Sequence, residues 1–72
     1  MADRFDQLAE RWPSPFVARA EVRRFTGGIL SGKSLANMQA KGEAVPPAFR
    51  CGGKAVYEVA HLVEFLRARA RG

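Results

Sequence analysis

The clearest periodic pattern lies near the carboxyl end of the chain. Between residues 58 and 69 the apolar positions recur at intervals of three and four, at Val59, Leu62, Val63 and Leu66. This spacing places them on one face of a helix, with polar residues on the other face. The pattern therefore predicts an amphipathic helix over about residues 58–69 that covers an apolar core.

A shorter helical pattern occupies the amino end. The apolar residues that follow helical spacing there are Phe5, Leu8, Ala9 and Trp12. Asp3 can cap the first turn, whereas Pro13 and Pro15 prevent the helix from continuing. We therefore expect a helical lead within residues 1–15 and the main domain in residues 16–72. The pattern leaves open whether the lead packs on the domain or extends away from it.

Two further helices are predicted in the middle of the chain, separated by a short glycine-containing turn. The first spans about residues 18–26 and ends at Gly27 and Gly28, because glycine adopts the left-handed C-cap conformation without steric cost. The second begins after Ser31, a favourable N-cap, and runs to about residue 41. Helix, tight turn and helix is the outline of a helix-turn-helix.

A β-hairpin is predicted next. The loop 43–47 contains two adjacent prolines, which exclude regular structure. Residues 48–51 and 54–57 are then β-prone, and the two glycines between them favour a two-residue hairpin turn, which needs positive φ. In this register Phe49 faces Val56 on the neighbouring strand.

The chain is short and basic. Its 72 residues make at most one domain, and 12 Lys and Arg against seven Asp and Glu give a formal charge of +5. A small basic domain is typical of proteins that bind a polyanion, most commonly nucleic acid. The single Cys51 excludes an internal disulfide, and no His and Cys cluster offers a zinc site. We expect neither a metal nor another cofactor.

No segment suggests a membrane. No apolar run reaches the roughly 18 residues of a membrane span, and the amino end lacks the layout of a signal peptide. A cytoplasmic location without a membrane partner is therefore expected.

A literal G-x-x-x-x-G-K-[ST] match, the motif of nucleotide-binding P-loops, spans residues 27–34. Such a loop needs a buried strand before it and an acid that holds the metal after it. Residues 21–26 are too charged for a strand buried on both faces, and no Asp follows the motif. We interpret the match as a coincidence in which the glycines end one helix and Ser31 begins the next.

No other residues combine into a catalytic site. His61 stands alone and is expected to be a partly exposed structural residue, and Cys51 is expected to be a small apolar filler on a strand. None of the serines has an activating base beside it in the predicted elements. We therefore expect a protein that is not an enzyme.

Four sets of residues within 16–68 carry a family resemblance. They are Ala20-Glu21-Val22, Ser31-Gly32-Lys33-Ser34-Leu35, Phe49-Arg50-Cys51-Gly52-Gly53-Lys54-Ala55-Val56-Tyr57, and Leu62, Phe65 and Leu66. In the order helix, turn, helix, hairpin, helix, which is that of a MerR-like winged helix-turn-helix, they resemble the small excisionase and AlpA-type regulators of phages and integrated elements. The resemblance implies a mostly α fold with a small two-stranded β-hairpin wing, and the turn 27–30 is longer than the family's commonest form.

The second helix of the pair carries the candidates for reading DNA. Leu35 and Met38 would anchor it on the core, which leaves the opposite face to solvent. That face presents Lys33, Ser34, Asn37 and Lys41. Lysine suits phosphates or guanine, and asparagine can form two hydrogen bonds with adenine in the major groove. The alternative is the ordinary solvated face of a helix.

Other cations are candidates for contacts with the DNA backbone. Arg50 and Lys54 flank the hairpin tip, where the resemblance implies contact with the minor groove or its phosphates. Alternatively, this pair protects exposed strand edges against aggregation. Arg19 and Arg23 project from the first helix of the pair, where they either contact phosphates or are merely solvated.

The resemblance also implies a function. The chain would be a sequence-specific DNA-binding accessory protein that directs a tyrosine recombinase (integrase) toward excision of a phage or integrated element. It would bind double-stranded DNA, with neighbouring copies of itself as further partners. A small transcriptional regulator of the integrase gene is an open alternative.

A protein–protein interaction module is the alternative from a different class. It would dock a partner through the helix 59–66 and the apolar stripe 5–12. The two classes make different demands on the surface. DNA binding requires the basic residues of the second helix and the hairpin to lie side by side, whereas an interaction module requires an exposed apolar patch.

Overall fold

The computed structural model describes residues 4–70. Its helices are α1 (Asp6–Arg11), α2 (Val22–Phe25), α3 (Gly32–Ala40) and α4 (Val59–Arg69). The strands β1 (Phe16–Ala18), β2 (Ala48–Cys51) and β3 (Lys54–Glu58) form one antiparallel sheet in the order β1-β3-β2. The described chain therefore contains four helices and a three-stranded sheet, and none of these helices is long and apolar enough to cross a membrane.

The helix predicted over residues 18–26 is wrong in its first half. Residues 16–18 form β1, which pairs with β3 so that Val17 lies opposite Tyr57. A 3₁₀ turn follows, and α2 begins only at Val22. The prolines before β1 favour extended backbone, and pairing with β3 buries Val17 completely, so tertiary structure overrides helix propensity. The predicted two-stranded wing is accordingly part of a three-stranded sheet.

The predicted hairpin and its register are confirmed. Phe49 pairs with Val56, and Cys51 pairs with Lys54 at the turn. Gly52 and its neighbour Gly53 adopt φ values of 60° and 78°. Positive φ at both central positions is the requirement of the tight hairpin turn that twists with its strands.

The predictions for the two later helices are also confirmed. Ser31 caps α3, because its Oγ accepts the backbone N–H of Ser34 at 3.1 Å. Leu35 is fully buried and holds α3 on the core, with Met38 packed beside it. On α4 the buried side chains are the four that the spacing selects, Val59, Leu62, Val63 and Leu66.

The amino-terminal helix packs on the rest of the chain, which answers the question that the sequence leaves open. The proposed cap Asp3 lies outside the described residues, and α1 begins at Asp6. Trp12 meets the ring of Phe25 edge-on, with the centroids 5.3 Å apart. Arg67 of α4 donates a hydrogen bond to Asp6 at 2.8 Å. An aromatic contact and an ion pair therefore hold the amino-terminal helical segment against the rest of the domain.

Thr26 fixes the turn between α2 and α3. Its side chain is buried, and its Oγ1 accepts the backbone N–H of Leu30 at 3.1 Å. The same oxygen lies 3.0 Å from the carbonyl oxygens of both Val22 and Leu30, either of which can accept its single proton. One hydroxyl thus ties the last turn of α2 to the residue before the α3 cap.

Replacing this hydroxyl tests its role in the turn. Thr26→Val keeps the shape of the side chain but leaves the Leu30 N–H without its acceptor, so we expect a loss of about 1–3 kcal/mol in unfolding free energy. Thr26→Ser keeps the hydroxyl and loses one methyl group, which should cost about 1 kcal/mol. Urea unfolding followed by circular dichroism measures both, and a Thr26→Val protein as stable as wild type would contradict this role.

Candidate nucleic-acid interface

Helix α3 presents a polar face away from the core. Lys33, Asn37 and Lys41 follow one another at intervals of four along this face, and all three are exposed. Within residues 4–70 their side chains have no ion-pair or hydrogen-bond partner. The face is therefore an open set of cationic and amide groups.

Ser34 lies on the same helix but takes part in the cap. Its Oγ accepts a hydrogen bond from the Ser31 hydroxyl at 3.0 Å. Because a hydroxyl both accepts and donates, the proton of Ser34 remains available to a ligand. Ser34 can therefore accept the hydrogen bond from Ser31 and at the same time donate one to an external acceptor.

The hairpin carries two further candidate cations. Arg50 and Lys54 are both exposed near the turn. The Nη1 of Arg50 donates to the carbonyl oxygen of Gly53 at 3.1 Å, which draws the guanidinium over the turn. Lys54 has no such partner in the described chain, so its ammonium is free to move.

Arg19 connects the hairpin sheet with α3. Its Nε donates to the Tyr57 hydroxyl at 3.0 Å, and its Nη2 donates to Oε1 of Gln39 at 3.2 Å. The guanidinium also lies 5.7 Å from the centroid of the Tyr57 ring. The expectation that Arg19 projects from a helix is wrong, because it lies in the 3₁₀ turn Arg19–Glu21 and is half-buried.

A groove runs between α3 and the hairpin, and we call it the inter-element groove. The residues that line it are Arg19, Gln39, Ala48, Phe49, Arg50 and Ala55. An adjoining depression beside the hairpin is lined by Ala18, Arg19, Ala20, Glu21, Arg50, Lys54 and Ala55. The structure thus brings Arg19, Arg50 and Lys54 together at one border of α3.

Gly32 makes the close approach of α3 to Arg19 possible. A Cβ atom at this position would lie 2.2 Å from the carbonyl oxygen of Arg19 and 2.5 Å from its Cγ. The φ of Gly32 is not positive, so the requirement for glycine is one of space alone. The second glycine of the apparent P-loop motif is thereby explained by packing.

The α3 candidates Lys33, Ser34, Asn37 and Lys41 do not line the inter-element groove. The remaining predicted residue, Arg23, does not line it either. It lies exposed on α2 and has no side-chain partner within residues 4–70. Gln39, by contrast, was missed by the sequence interpretation. Its place on α3 flanks the buried Leu35, but its partner Arg19 is 20 residues away, and no local pattern indicates the pair.

Charge is distributed unevenly over the molecule. Residues 22–57 contain six Lys and Arg but only one acid, Glu43. Other acids lie beside α1, α2 and α4: Asp6 and Glu64 contact Arg67, and Glu21 contacts Arg24. The excess positive charge therefore concentrates on α2, α3 and the hairpin.

The glycine motif lacks the strand that precedes a P-loop, and Cys51 lies exposed on an edge strand. The residues before Gly27 form α2 instead of the strand that a P-loop needs, and Gly27 and Gly28 end that helix with φ of 68° and 91°. The expectation of an apolar filler at Cys51 is wrong, because every residue of the edge strand β2 is exposed. Residues 4–70 contain no group of three metal-ligating side chains.

Three large apolar side chains of the described chain are exposed, and one of them, Phe49, lines the inter-element groove. Phe16 and Phe49 pack edge-on, with centroids 5.5 Å apart, on adjoining parts of the sheet. Ile29 is 69% exposed in the turn before α3. It borders a pocket shared with α1 and α4 that is lined by Phe5, Ile29, Leu30, Leu66, Arg69 and Ala70.

No protein-family model, curated protein or solved structure matches this chain. Function is therefore inferred from the chain's own residues and their arrangement.

Substitution of Gly32 tests the packing that positions α3. Alanine has the higher helix propensity by about 1 kcal/mol, yet we expect Gly32→Ala to lower the unfolding free energy by about 1–3 kcal/mol through overpacking against Arg19. Ala36→Gly in the middle of the same helix is the matched control, and its expected loss of about 1 kcal/mol reflects propensity alone. Urea unfolding measures both, and a stabilised Gly32→Ala protein would refute the close-approach constraint.

Proposed function

We propose that this chain is a sequence-specific binding protein for duplex DNA, with no catalytic step of its own. In this proposal α2 and α3 are the helix pair of a winged helix-turn-helix, and the β2–β3 hairpin is its wing. The observation that supports it most is that Arg19, Arg50 and Lys54 lie together beside α3, at the groove that Gln39 shares with the hairpin and the depression adjoining it. Scattered cations would have argued against it.

The polar face of α3 suits the major groove. Asn37 lies in the middle of this face and can form two hydrogen bonds with the edge of an adenine. Lys33 and Lys41 flank it and suit phosphates or guanine. The small side chains Ala36 and Ala40 allow the helix to approach the bases closely.

The hairpin suits contact with the DNA strand that borders the major groove. Arg50 and Lys54 near its turn can contact the adjacent minor groove or its phosphates, in line with the resemblance given above. Together with the cations of α3, this makes about four to six phosphate contacts a reasonable number for the domain. Affinity should then fall with salt at a log–log slope of about −4 to −5.

The biological role that we propose is that of an excisionase-like accessory factor. The support is the resemblance to excisionase and AlpA-type regulators together with the small size of the surface. A single small module buries only about 600–1,000 Å² on DNA, so specificity would come from neighbouring copies, from DNA bending or from a recombinase partner. Regulation of an integrase gene is the alternative role within the same class.

One observation favours a protein-interaction module as the second candidate. Ile29 is highly exposed beside the pocket that α1 and α4 complete. This pocket shares no lining residue with the inter-element groove, so it is compatible with DNA binding as well as with a module that binds only protein.

Two alanine substitutions on α3 distinguish reading of bases from attraction to phosphates. Lys41→Ala should weaken binding about equally for all duplex sequences and reduce the magnitude of the salt slope by about 0.9, because one phosphate contact is lost. Asn37→Ala should instead relax the preference at one base position by about 1–3 kcal/mol. Fluorescence anisotropy with selected and scrambled duplexes, repeated at several salt concentrations, measures both effects.

Glu43→Ala provides the matched control, because it removes an exposed charge just after α3 and should not weaken binding. Equal effects of Asn37→Ala on selected and scrambled duplexes would show that Asn37 does not read a base. A wild-type slope near zero would refute DNA binding through this surface.

A further inference from the structure

We propose that the inter-element groove is a subsite for one phosphodiester group, bound by Arg19, Gln39 and Arg50, with Tyr57 as the positioning residue. The ligand chemistry follows from the groove itself. The assignment of that phosphodiester to the backbone of duplex DNA rests on the proposed function.

The side chains of the groove offer hydrogen-bond donors. A guanidinium has five N–H groups and no acceptor, so Gln39 must turn its amide oxygen toward Arg19 and its NH₂ away from it. Arg19 uses its Nε and one Nη2 proton in the two observed bonds, which leaves three N–H groups for a ligand. Arg50 adds further donors, and no acidic side chain lines the groove.

A donor-rich groove with two guanidinium groups matches a ligand that only accepts hydrogen bonds. Phosphate oxygens are of this kind, and planar guanidinium groups bind them with paired, charge-assisted hydrogen bonds. A base edge is the poorer match because it is neutral, whereas two guanidinium groups favour an anionic acceptor such as phosphate.

Arg19 is held in place before any ligand arrives. Tyr57 is 1% exposed, its hydroxyl accepts the Nε–H of Arg19, and its ring lies beside the guanidinium. The close contact of Gly32 with the backbone of Arg19 fixes the start of the side chain as well. A long side chain that is already ordered loses little conformational freedom on binding, which favours affinity.

The place of the groove also fits a backbone phosphate. If α3 occupies the major groove and the hairpin lies at the neighbouring minor groove, one sugar–phosphate strand passes between them. The inter-element groove is the surface that this strand would cross. The same phosphate would therefore meet side chains from the 3₁₀ turn, from α3 and from β2.

Tyr57→Phe tests the subsite without changing any charge. A tight-binding duplex is first selected from a random pool, and each phosphate near the bound site is then replaced singly by an uncharged methylphosphonate. Wild-type protein should lose affinity at each contacted phosphate, and at the phosphate bound by the groove the loss should be about tenfold, as expected for a charge-assisted hydrogen-bonded contact. Tyr57→Phe should bind the unmodified duplex about three- to tenfold more weakly and should respond less than twofold to that methylphosphonate.

Two further variants keep the result interpretable. Arg19→Lys retains the charge but lacks the planar guanidinium whose separate nitrogens donate to Tyr57 and Gln39, so it should reproduce the effect even if Tyr57→Phe folds poorly. Arg24→Gln removes an exposed cation outside the groove and should leave the sensitive phosphate unchanged. If Tyr57→Phe and Arg19→Lys both retain the wild-type methylphosphonate pattern, the subsite is refuted while DNA binding stands.

Inorganic phosphate separates the subsite from the proposed function. NMR of the free protein, titrated with phosphate against chloride at equal ionic strength, should shift the Nε–H of Arg19 and the side-chain NH₂ of Gln39. If these shifts occur but the protein binds no duplex, the groove binds a phosphate group of some ligand other than DNA, and the proposed DNA function is refuted. Absence of these shifts, together with absence of a sensitive phosphate in DNA, would refute the subsite.

Discussion

The contact between Gly32 and Arg19 controls where α3 lies in this molecule. No side chain fits between the first turn of α3 and the backbone of Arg19. Because the two backbones meet there, the guanidinium of Arg19 can reach Gln39 on the helix while it also donates to Tyr57 on the central strand. The polar face of α3 and the hairpin cations are consequently held at a fixed separation.

A small core makes such specific contacts important. A chain of 72 residues buries a limited apolar surface, and α3 contributes mainly Leu35 to it. The hydroxyl of Thr26 secures the turn before α3, and the docking of Trp12 on Phe25 extends the core toward α1. Short elements are thereby held by a few directional interactions in addition to apolar packing.

The sequence predicted those elements whose signals are local. The spacing of Val59 to Leu66, the cap at Ser31 and the glycine pair of the hairpin each specify structure within about ten residues. It failed at β1, because Val17 is extended only through its pairing with Tyr57, a residue 40 positions later. Gln39 was not predicted as a site residue for the same reason, since its role depends on the hydrogen bond from the distant Arg19. Candidates on the exposed face of α3, such as Asn37, followed directly from helix periodicity.

In the function proposed above, α3 and the hairpin both contact duplex DNA. Amide chemical-shift mapping by NMR during titration with a selected duplex, at physiological salt, locates the contact residue by residue. DNA binding through these elements predicts the largest shifts in residues 32–41 and around the hairpin turn 50–54, with little change in α1 and in the outer face of α4. Largest shifts around Ile29 and the pocket between α1 and α4, or no shifts with any duplex, would contradict it.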